Sequence, residues 1–446
     1  MNVLLIDIDT LRADRLGCYG YRLNTSPHLD KIAAEGVLFV ECYASHIPTH
    51  PGHATLFTGK DVMTHQIVTQ GGKVDLDPSI RQLAELLQEN GYFTAAADNM
   101  GRWFSRGFEV YEGYSWSTQL EALEEGWRKA EAVNEKALRL LEQCAAQRKP
   151  WFLFLHYWDP HTPYLPPPPF NRMFYGGNEK DPNNHSADKM WAEYEPFRDY
   201  FNSWMPGVTD LNFPCRQYDA EIAYCDAVLA RLFTRVDELD LWDDTLIIVT
   251  SDHGEELDEH EMWFDHHGLY DTNLRIPLIL RHPSLPAGKR MYGFVQHQDF
   301  APTILDFVGL GHLIERERMP GMSLLPLIHG DLHTGTCDVL YLSECTWMRK
   351  RGLRTHTWKL IRALEPDFHG RPPVELYHLP SDPSEQVNLA EERPEVVEEL
   401  TEQLEAWRQR RMSETGLPDP LETQGITLRR VESVQVAIPA NQRLVE

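Results

Sequence analysis

Cysteine is scarce in this sequence, basic residues are outnumbered and long apolar runs are absent. The seven cysteines among 446 residues include no CxxC spacing, so neither a disulfide framework nor a zinc knuckle is indicated and a reducing compartment fits best. No apolar run reaches the roughly 18 residues of a membrane-spanning helix. The first apolar stretch, residues 2–8, is too short for the core of a signal peptide. We therefore expect a cytoplasmic protein with no membrane partner.

The charge balance is strongly acidic. The sequence has 68 Asp and Glu against 42 Lys and Arg, a formal net charge of −26. Such a charge disfavours broad contact with nucleic acid, so no nucleic-acid partner is expected. A small anionic substrate would need a metal ion or local cations to overcome this field.

Short apolar segments alternate with helical patterns over most of the chain. Residues 2–8, 151–156 and 245–250 predict buried strands because they are short, continuous and bounded by polar or turn residues, and residues 277–281 predict another. Apolar residues at helical spacing predict helices over 78–90, 119–147 and 217–237. This order predicts an α/β fold with a mainly parallel central sheet flanked by helices.

The pattern changes near residue 330. Residues 1–330 are predicted to form the catalytic domain, with an insertion at about 165–215 that shapes substrate access. Residues 331–412 predict a smaller subdomain with an antiparallel sheet and a helix. Residues 413–446 lack a clear period, and we expect an arm there that serves as a homo-oligomer contact.

Polar residues follow the predicted strands. In a parallel sheet the carboxyl ends of the strands meet at one edge, where ligands bind. Asp252 and His253 directly follow a buried strand, and Asp9 offers a second carboxylate, so these three predict a site for manganese, zinc, magnesium or calcium. The remaining residues at strand ends are Thr10, Asp159 and His161. The acidic residues expected to form a solvated loop are Glu255, Glu256, Asp258 and Glu259.

The segment IPTHPGHATLFTGK, residues 47–60, places the hydroxyl of Thr49 where a loop is predicted to turn into a helix. The unpaired N–H groups at the start of a helix favour anions. Thr49 is therefore a candidate nucleophile, with helix capping as the alternative.

Ten stretches in family order resemble the sulfatases and their relatives in the alkaline phosphatase superfamily. They include NVLLIDIDTLRADRLGCYGY, THPGHATLFTG, WFLFLHYWDPHTPY and TLIIVTSDHGEELDEH, and together they cover nearly the whole chain. The resemblance implies an alkaline phosphatase-like fold, a divalent metal cofactor, and hydrolysis of a small anionic phosphoric or sulfuric ester.

The nucleophile motif departs from the sulfatase pattern. Sulfatases carry Cys or Ser, any residue, Pro, a small residue and Arg, and convert the Cys or Ser to formylglycine. Here Thr49 and His53 stand at the first and last positions, so formylglycine is not expected. Thr10 replaces the second Asp of the usual pair, His253 replaces an Asn, and Asn99 stands about where many sulfatases have Lys.

These departures resemble the phosphoester branch of the superfamily, in which a metal-bound Thr or Ser attacks phosphorus. A sulfated formylglycine hydrate can expel sulfate through its second hydroxyl, whereas a sulfated Thr has none. The hypothesis is a phosphodiesterase or phosphonate monoester hydrolase in which Asp9, Asp252 and His253 hold a metal that activates Thr49.

The resemblance also implies roles for further histidines and for a second shell. In the hypothesis the residues that stabilise charge or protonate the leaving group are His53, His161 and one of His266 and His267. One metal ion is expected and two are possible; the candidates for a second shell or a second metal are Asp159, His297, Asn99 and Thr10. Asp159 has a pairing with His161 as its alternative, and His297 has a structural role as its alternative. The alternatives are a sulfatase without formylglycine, a head-group transferase and a non-catalytic binding protein.

Overall fold

A computed structural model of the chain describes residues 1–113, 129–193, 195–330, 334–367 and 369–426. The chain forms two compact units, each assembled from three stretches. The first unit consists of Met1–Val40, Gln82–Asp265 and Ile276–Met291. The second consists of Glu41–Arg81, His266–Arg275 and Tyr292–Glu446, of which the residues after Ile426 lie outside the described part.

The described strands form a large mixed sheet and a smaller one. In chain order they are β1 (Asn2–Ile8), β2 (Val37–Tyr43), β3 (His46–Ile47), β4 (Phe93–Ala97), β5 (Val110–Glu112), β6 (Trp151–Tyr157), β7 (Thr245–Thr250), β8 (Arg275–Arg281), β9 (Lys289–Met291), β10 (Val295–Gln296), β11 (Leu340–Cys345), β12 (Arg349–Arg354), β13 (Trp358–Ala363) and β14 (Val374–His378).

The first unit is built on the large sheet, in the order β2-β8-β7-β1-β6-β4-β5, with β9 also paired to β2. β1 pairs in parallel with β6 and β7, and β4 pairs in parallel with β5 and β6, whereas β7 and β8 are antiparallel. Every residue of β1, β6 and β7 is buried, as expected for central strands covered on both faces. The predicted mainly parallel sheet with flanking helices is confirmed.

The α-helices of the first unit cover this sheet. They are Pro27–Ala34, Leu83–Glu89, Ala130–Ala145, Asp188–Trp191, Glu195–Trp204 and Asn212–Glu238. The helix predicted over 78–90 begins later, at Leu83, where Gln82 and Glu85 form a capping box. The prediction over 119–147 is met by Ala130–Ala145, and residues 119–128 lie outside the described residues. The predicted insertion contains two short helices, Asp188–Trp191 and Glu195–Trp204.

The second unit contains the smaller sheet, in the order β14-β13-β12-β11-β3. The pairings among β11 to β14 are antiparallel, and β3 joins β11 in parallel. A core of leucines on the sheet packs against Leu400 and Leu404 of the long helix. The α-helices of this unit are Thr49–Thr58, Val62–His65, Asp271–Leu274, Phe300–Phe307, His312–Arg316, Leu325–His329, Pro394–Thr415 and Pro420–Thr423.

The two units divide the chain differently from the predicted domains. Glu41–Arg81 and His266–Arg275 cluster with the C-terminal stretch, whereas the sequence pattern groups them with residues 1–330. The predicted domain boundaries at residues 330 and 412 therefore remain predictions. In the predicted arm, residues 427–446 lie outside the described residues. Among the described helices, none has the length and apolar character needed to cross a bilayer.

Candidate active site

Three ligand-type side chains converge at the ends of β1 and β7 in the first unit. These strands pair in parallel, with Asp7 opposite Thr250. Asp9 and Asp252 each follow two residues later, so they lie at the same level beyond the strand ends. Asp9, Asp252 and His253 are fully buried, and one potential ligand atom from each lies within 4.8 Å of the others. The predicted convergence of these three residues is therefore present.

The polar atoms of this group fit a divalent cation. Both carboxylate oxygens of Asp9 and Oδ2 of Asp252 make no hydrogen bond to the described part of the chain. Nε2 of His253 lies 3.2 Å from Oδ2 of Asp252 and 3.8 Å from Oδ1 of Asp9. Two buried carboxylates without sufficient partners cost several kcal/mol, and a cation coordinated by both would offset this cost. Carboxylate oxygen and imidazole nitrogen are ordinary ligands of manganese, zinc and magnesium sites.

The surrounding backbone fixes the orientation of these side chains. Oδ1 of Asp252 accepts hydrogen bonds from the backbone N–H groups of Thr10, at 3.2 Å, and of His253, at 2.9 Å. Nδ1 of His253 lies 2.9 Å from the carbonyl oxygen of Gly254, so it donates, and Nε2 is left for a metal. Thr10 acts here through its main chain; its φ of 59° lies in the left-handed region, which is costly for a β-branched residue.

A buried histidine on β6 was missed by the sequence analysis. His156 Nε2 lies 3.5 Å from Oδ2 of Asp9 and 3.8 Å from Oδ2 of Asp7, and Nδ1 lies 2.9 Å from Oδ1 of Asp98. Burial lowers the pKa of His156, but its close contacts with Asp9 and Asp98 outweigh burial and hold that pKa well above the usual value. The available signal was an ionisable residue inside an apolar strand, which is true of both Asp7 and His156.

The charge of Asp9 is maintained by histidines. Burial raises the pKa of Asp9, whereas the charge of His161, the close contact with His156 and the charge of His253 hold it below its ordinary value. His161 stacks on Trp158 with ring centroids 4.4 Å apart, and its Nδ1 lies 2.8 Å from the carbonyl oxygen of Thr162. The charge of His161 therefore acts on Asp9, one of the predicted metal ligands.

Asp159 and Asn99, two candidates for a second shell or a second metal, contact residues other than the three predicted metal ligands. Oδ2 of Asp159 accepts the backbone N–H of Ala130 at 2.5 Å, and its carboxyl interacts with Glu221. Burial raises the pKa of Asp159 to about 6. Asn99 donates its backbone N–H to Oδ1 of Asp98 at 2.8 Å, and its buried amide group makes no hydrogen bond to the described residues.

The acidic segment after His253 is not the solvated loop that its composition predicts. Glu255 and Glu256 are fully buried. Glu255 accepts the hydroxyl of Tyr164 at 2.5 Å, and Glu256 lies 3.1 Å from Nδ1 of His260. The expectation is wrong for these two residues because nearby donors compensate their burial. Of the other two acidic residues in this segment, Asp258 is exposed, as expected, whereas Glu259 forms an ion pair with Arg12.

The predicted nucleophile lies in the second unit, at the first residue of the helix Thr49–Thr58. Every residue of this helix is buried. The N-cap residue is Pro48 and no side chain caps the helix, so the capping alternative for Thr49 is not supported. Nδ1 of His53 lies 2.9 Å from the carbonyl oxygen of Thr49, which fixes the ring one turn further along.

The remaining predicted histidines are also in the second unit. His267 is buried, and its Nε2 lies 2.6 Å from Nε2 of His369, a residue that the sequence analysis did not identify. His266 is half-buried. His297 is fully buried and packs edge-on against Phe300.

Comparison with known proteins identifies the family. A family profile described as "Sulfatase" matches residues 1–310, and one described as "N-sulphoglucosamine sulphohydrolase, C-terminal" matches residues 258–410. The chain is 24% identical to an N-acetylglucosamine-6-O-sulfatase of Bacteroides thetaiotaomicron, over 87% of this chain and 82% of that protein. It is 29% identical to the multifunctional alkaline phosphatase superfamily protein PehA of Trinickia caryophylli, over 73% of this chain and 77% of that protein.

A solved structure shares the fold. The phosphonate monoester hydrolase of Agrobacterium radiobacter superposes with a TM-score of 0.73 and 25% identity, covering 92% of this chain and 96% of that one. The resemblance inferred from the sequence motifs is therefore confirmed. The chain belongs to the sulfatase family of the alkaline phosphatase superfamily and is an ester hydrolase.

Proposed function

We propose that this protein is a divalent-metal-dependent hydrolase that cleaves phosphodiesters or phosphonate monoesters with Thr49 as the nucleophile. The observation that carries the proposal is the identity of residue 49. Threonine at the first residue of a buried helix provides a hydroxyl, but it cannot become formylglycine. The structural relative named as a phosphonate monoester hydrolase supports the same choice of substrate class.

The reaction proceeds in two displacements. The hydroxyl oxygen of Thr49 attacks phosphorus and loses its proton to solvent water, and the bond from phosphorus to the leaving oxygen breaks. The leaving oxygen takes a proton from His161 or from one of His266 and His267. Water then attacks the phosphorylated or phosphonylated Thr49, which releases the phosphate monoester or the phosphonate and restores the hydroxyl.

The metal ligands in this proposal are Asp9, Asp252 and His253. A divalent cation held there supplies Lewis acidity to the phosphoryl group. His156 keeps Asp9 ionised and oriented through its contacts with Asp9 and Asp98. Manganese, zinc, magnesium and calcium all remain candidates for the ion, and the cytoplasmic location and an oligomer contact within residues 413–446 remain proposals.

The experiment compares four aryl esters: a phosphodiester, a phosphonate monoester, a phosphate monoester and a sulfate. Each is offered to the metal-reconstituted wild type and to Thr49→Ala, Thr49→Ser and Thr234→Ala. We expect the diester or the phosphonate to be cleaved fastest, and kcat/KM to fall at least about 10³-fold in Thr49→Ala because the nucleophile is lost. Thr49→Ser keeps the hydroxyl and should retain part of the activity.

Thr234→Ala is the matched control because Thr234 is an exposed helical threonine in the first unit. A Thr49→Ala protein as active as the wild type would exclude the mechanism. Fastest cleavage of the sulfate would favour the second candidate, a sulfate-ester hydrolase that uses unmodified Thr49, which the named sulfatase relative also supports. An acceptor alcohol appearing in the product would indicate a transferase, and a purified protein without bound ion or activity would indicate a binding protein.

A further inference from the structure

A histidine pair in the second unit couples a predicted catalytic residue to a distant part of the chain. Nε2 of His267 and Nε2 of His369 are 2.6 Å apart, and the rings are nearly parallel, with an interplanar angle of 11°. A neutral imidazole has one N–H donor and one acceptor nitrogen. Two lone pairs or two N–H groups would repel at this distance, so one ring donates and the other accepts.

The backbone around His369 is held by buried ion pairs. Oδ1 of Asp367 accepts the backbone N–H of His369 at 2.7 Å and of Arg371 at 3.1 Å. Oδ2 of Asp367 lies 2.7 Å from Nζ of Lys350, which is fully buried and lies 3.3 Å from Glu375. The backbone N–H of His369 is thus connected to the buried ion pair of Asp367 and Lys350.

The backbone around His267 is equally constrained. Its carbonyl oxygen accepts Nδ2 of Asn273 at 2.7 Å, and the next residue, Gly268, donates its N–H to Oε2 of Glu344 at 2.8 Å. The other oxygen of Glu344, Oε1, is buried and makes no hydrogen bond to the described residues. Trp347 completes the surroundings, with its ring centroid 6.3 Å from that of His267.

We propose that His369 is a positioning residue that fixes the tautomer and orientation of His267 by accepting a hydrogen bond from its Nε2. This inference rests on the proposed function, in which a histidine of the DHHG segment protonates the leaving oxygen. With Nε2 committed to His369, Nδ1 of His267 is the atom that delivers the proton. After delivery, His267 is neutral, keeps its Nε2 proton and still donates to His369, so no second proton moves.

Three charged groups lie near the pair: Glu344, Asp367 and Lys350. Glu344 interacts electrostatically with His267, and Lys350 is paired with Asp367 and Glu375. The proposed hydrogen bond therefore decides where on the His267 ring the proton sits, while the surrounding carboxyls influence how readily it is held.

The first test is kinetic and compares His369→Ala, His369→Gln and His369→Asn, using aryl esters whose leaving groups span a range of pKa. We expect His369→Ala to lower kcat about 10- to 100-fold for poor leaving groups and much less for good ones, with KM changed less than about threefold. Glutamine places an acceptor oxygen near the position of Nε2 and should restore activity. Asparagine is too short and should not.

The second test does not depend on hydrolysis. ¹⁵N-histidine NMR of the wild type at neutral pH should show a proton on Nε2 of His267, none on Nε2 of His369, and a nitrogen–nitrogen coupling across the hydrogen bond. His267→Ala and His369→Ala identify the signals, and His312→Ala, an exposed histidine of the same unit, is the control.

The proposal is overturned if the two rings show no coupling, if His369→Ala lowers kcat equally for all leaving groups, or if Gln is no better than Asn. A wild type that shows the coupling but hydrolyses none of the phosphorus esters would contradict the proposed function and the catalytic part of this inference, while leaving the hydrogen bond established.

Discussion

At the scale of single residues, the proposed metal ligands link the stability of the fold to metal binding. Asp9 and Asp252 are both fully buried, and their free oxygens lack hydrogen bonds within the described chain. In the metal-free protein Oδ2 of Asp252 has no hydrogen-bond donor within the described chain, whereas an ion bound only by the native state stabilises the fold by mass action. Stability and metal content should therefore change together.

Asp252→Asn tests this balance. The amide oxygen can still accept the N–H groups of Thr10 and His253, and the NH₂ group can donate to Nε2 of His253. We expect the variant to lose most of its bound metal. Without metal it should be more stable than the metal-free wild type by about 1–3 kcal/mol, because a buried charge is removed.

The measurement is metal content together with thermal unfolding before and after chelation. Chelation should lower the Tm of the wild type and leave that of Asp252→Asn unchanged. An equal fall in Tm in both proteins would mean that Asp252 is not a ligand.

The residues of the site differ in how far the sequence could identify them. Asp9, Asp252 and His253 could be predicted because each lies within three residues of a strand end, and the strand limits where the side chain lies. His369 could not be predicted, because it is 102 positions from His267 and follows no strand end or motif. Its contact depends on a turn held by buried ion pairs, and a local pattern does not encode such pairings.

At the scale of elements, Asp61 connects two helices of the second unit. Its Oδ1 accepts the backbone N–H of Thr64 at 3.1 Å, which caps the helix Val62–His65. Its Oδ2 lies 2.8 Å from Nε of Arg411 on the helix Pro394–Thr415. The Asp61 carboxylate therefore accepts a hydrogen bond from a backbone N–H at the start of one helix and pairs with the largely buried guanidinium of Arg411 on another.

Substitution of Asp61 should separate these two roles. Asp61→Ala removes both cap and ion pair and should lower the free energy of unfolding by about 2–4 kcal/mol, whereas Asp61→Asn keeps an oxygen for the cap and should cost less. Urea unfolding measures the difference. Arg410→Ala, at the exposed neighbour of Arg411, should change stability by less than about 0.5 kcal/mol. Equal losses for Ala and Asn would show that the cap contributes nothing.

Elements were predictable where burial and period were clear. β1, β6 and β7 are continuous apolar segments, and the long helix Asn212–Glu238 encloses the predicted span. The antiparallel pairing of β8 with β7 was not predicted, because strand direction depends on the path of the chain between them. The helices inside the predicted insertion were missed because prolines and aromatic residues dominated its composition.

At the scale of the whole molecule, many buried carboxyls favour the protonated state. Burial is the main cause that raises the pKa of five of them: to about 6 for Asp159 and Asp299, and to about 7 for Asp226, Glu344 and Glu385. A carboxyl whose pKa is higher in the folded state binds its proton more tightly there, so folding loses stability as pH rises from about 4 to about 7.

Other groups act in the opposite direction at lower pH. Burial lowers the pKa of His46 to about 4 and that of His65 well below its usual value, so these two destabilise the fold as pH falls below the unfolded value of 6.5. For Glu259, burial raises the pKa, but Arg12 and Arg15 outweigh it and hold the pKa at about 2, so its stabilising contribution is lost only below about 4.5. Five groups against two favour acid conditions in the window from pH 7 to 5.

We therefore expect the metal-free protein to be most stable near pH 5 to 6 and to lose stability toward pH 8. The measurement is the free energy of unfolding in urea at half-unit steps from pH 4 to 9, in the presence of chelator and constant salt. Asp159→Asn should flatten the profile, and Asp199→Asn, at an exposed position, should not. A stability that rises steadily to pH 8 would contradict the expectation.

Synthesis of the chain separates β1 from its partners in time. Val3 of β1 pairs with Phe152 of β6 and Leu246 of β7. At about 5–20 residues per second, the ribosome makes β6 roughly 7–30 s and β7 roughly 12–50 s after β1. During this interval an apolar strand waits without its sheet neighbours, which makes the nascent chain dependent on chaperones or on the ribosome surface. Loading of an ion at the proposed site would consequently be a late event, since Asp9 and His253 are 244 positions apart in the sequence.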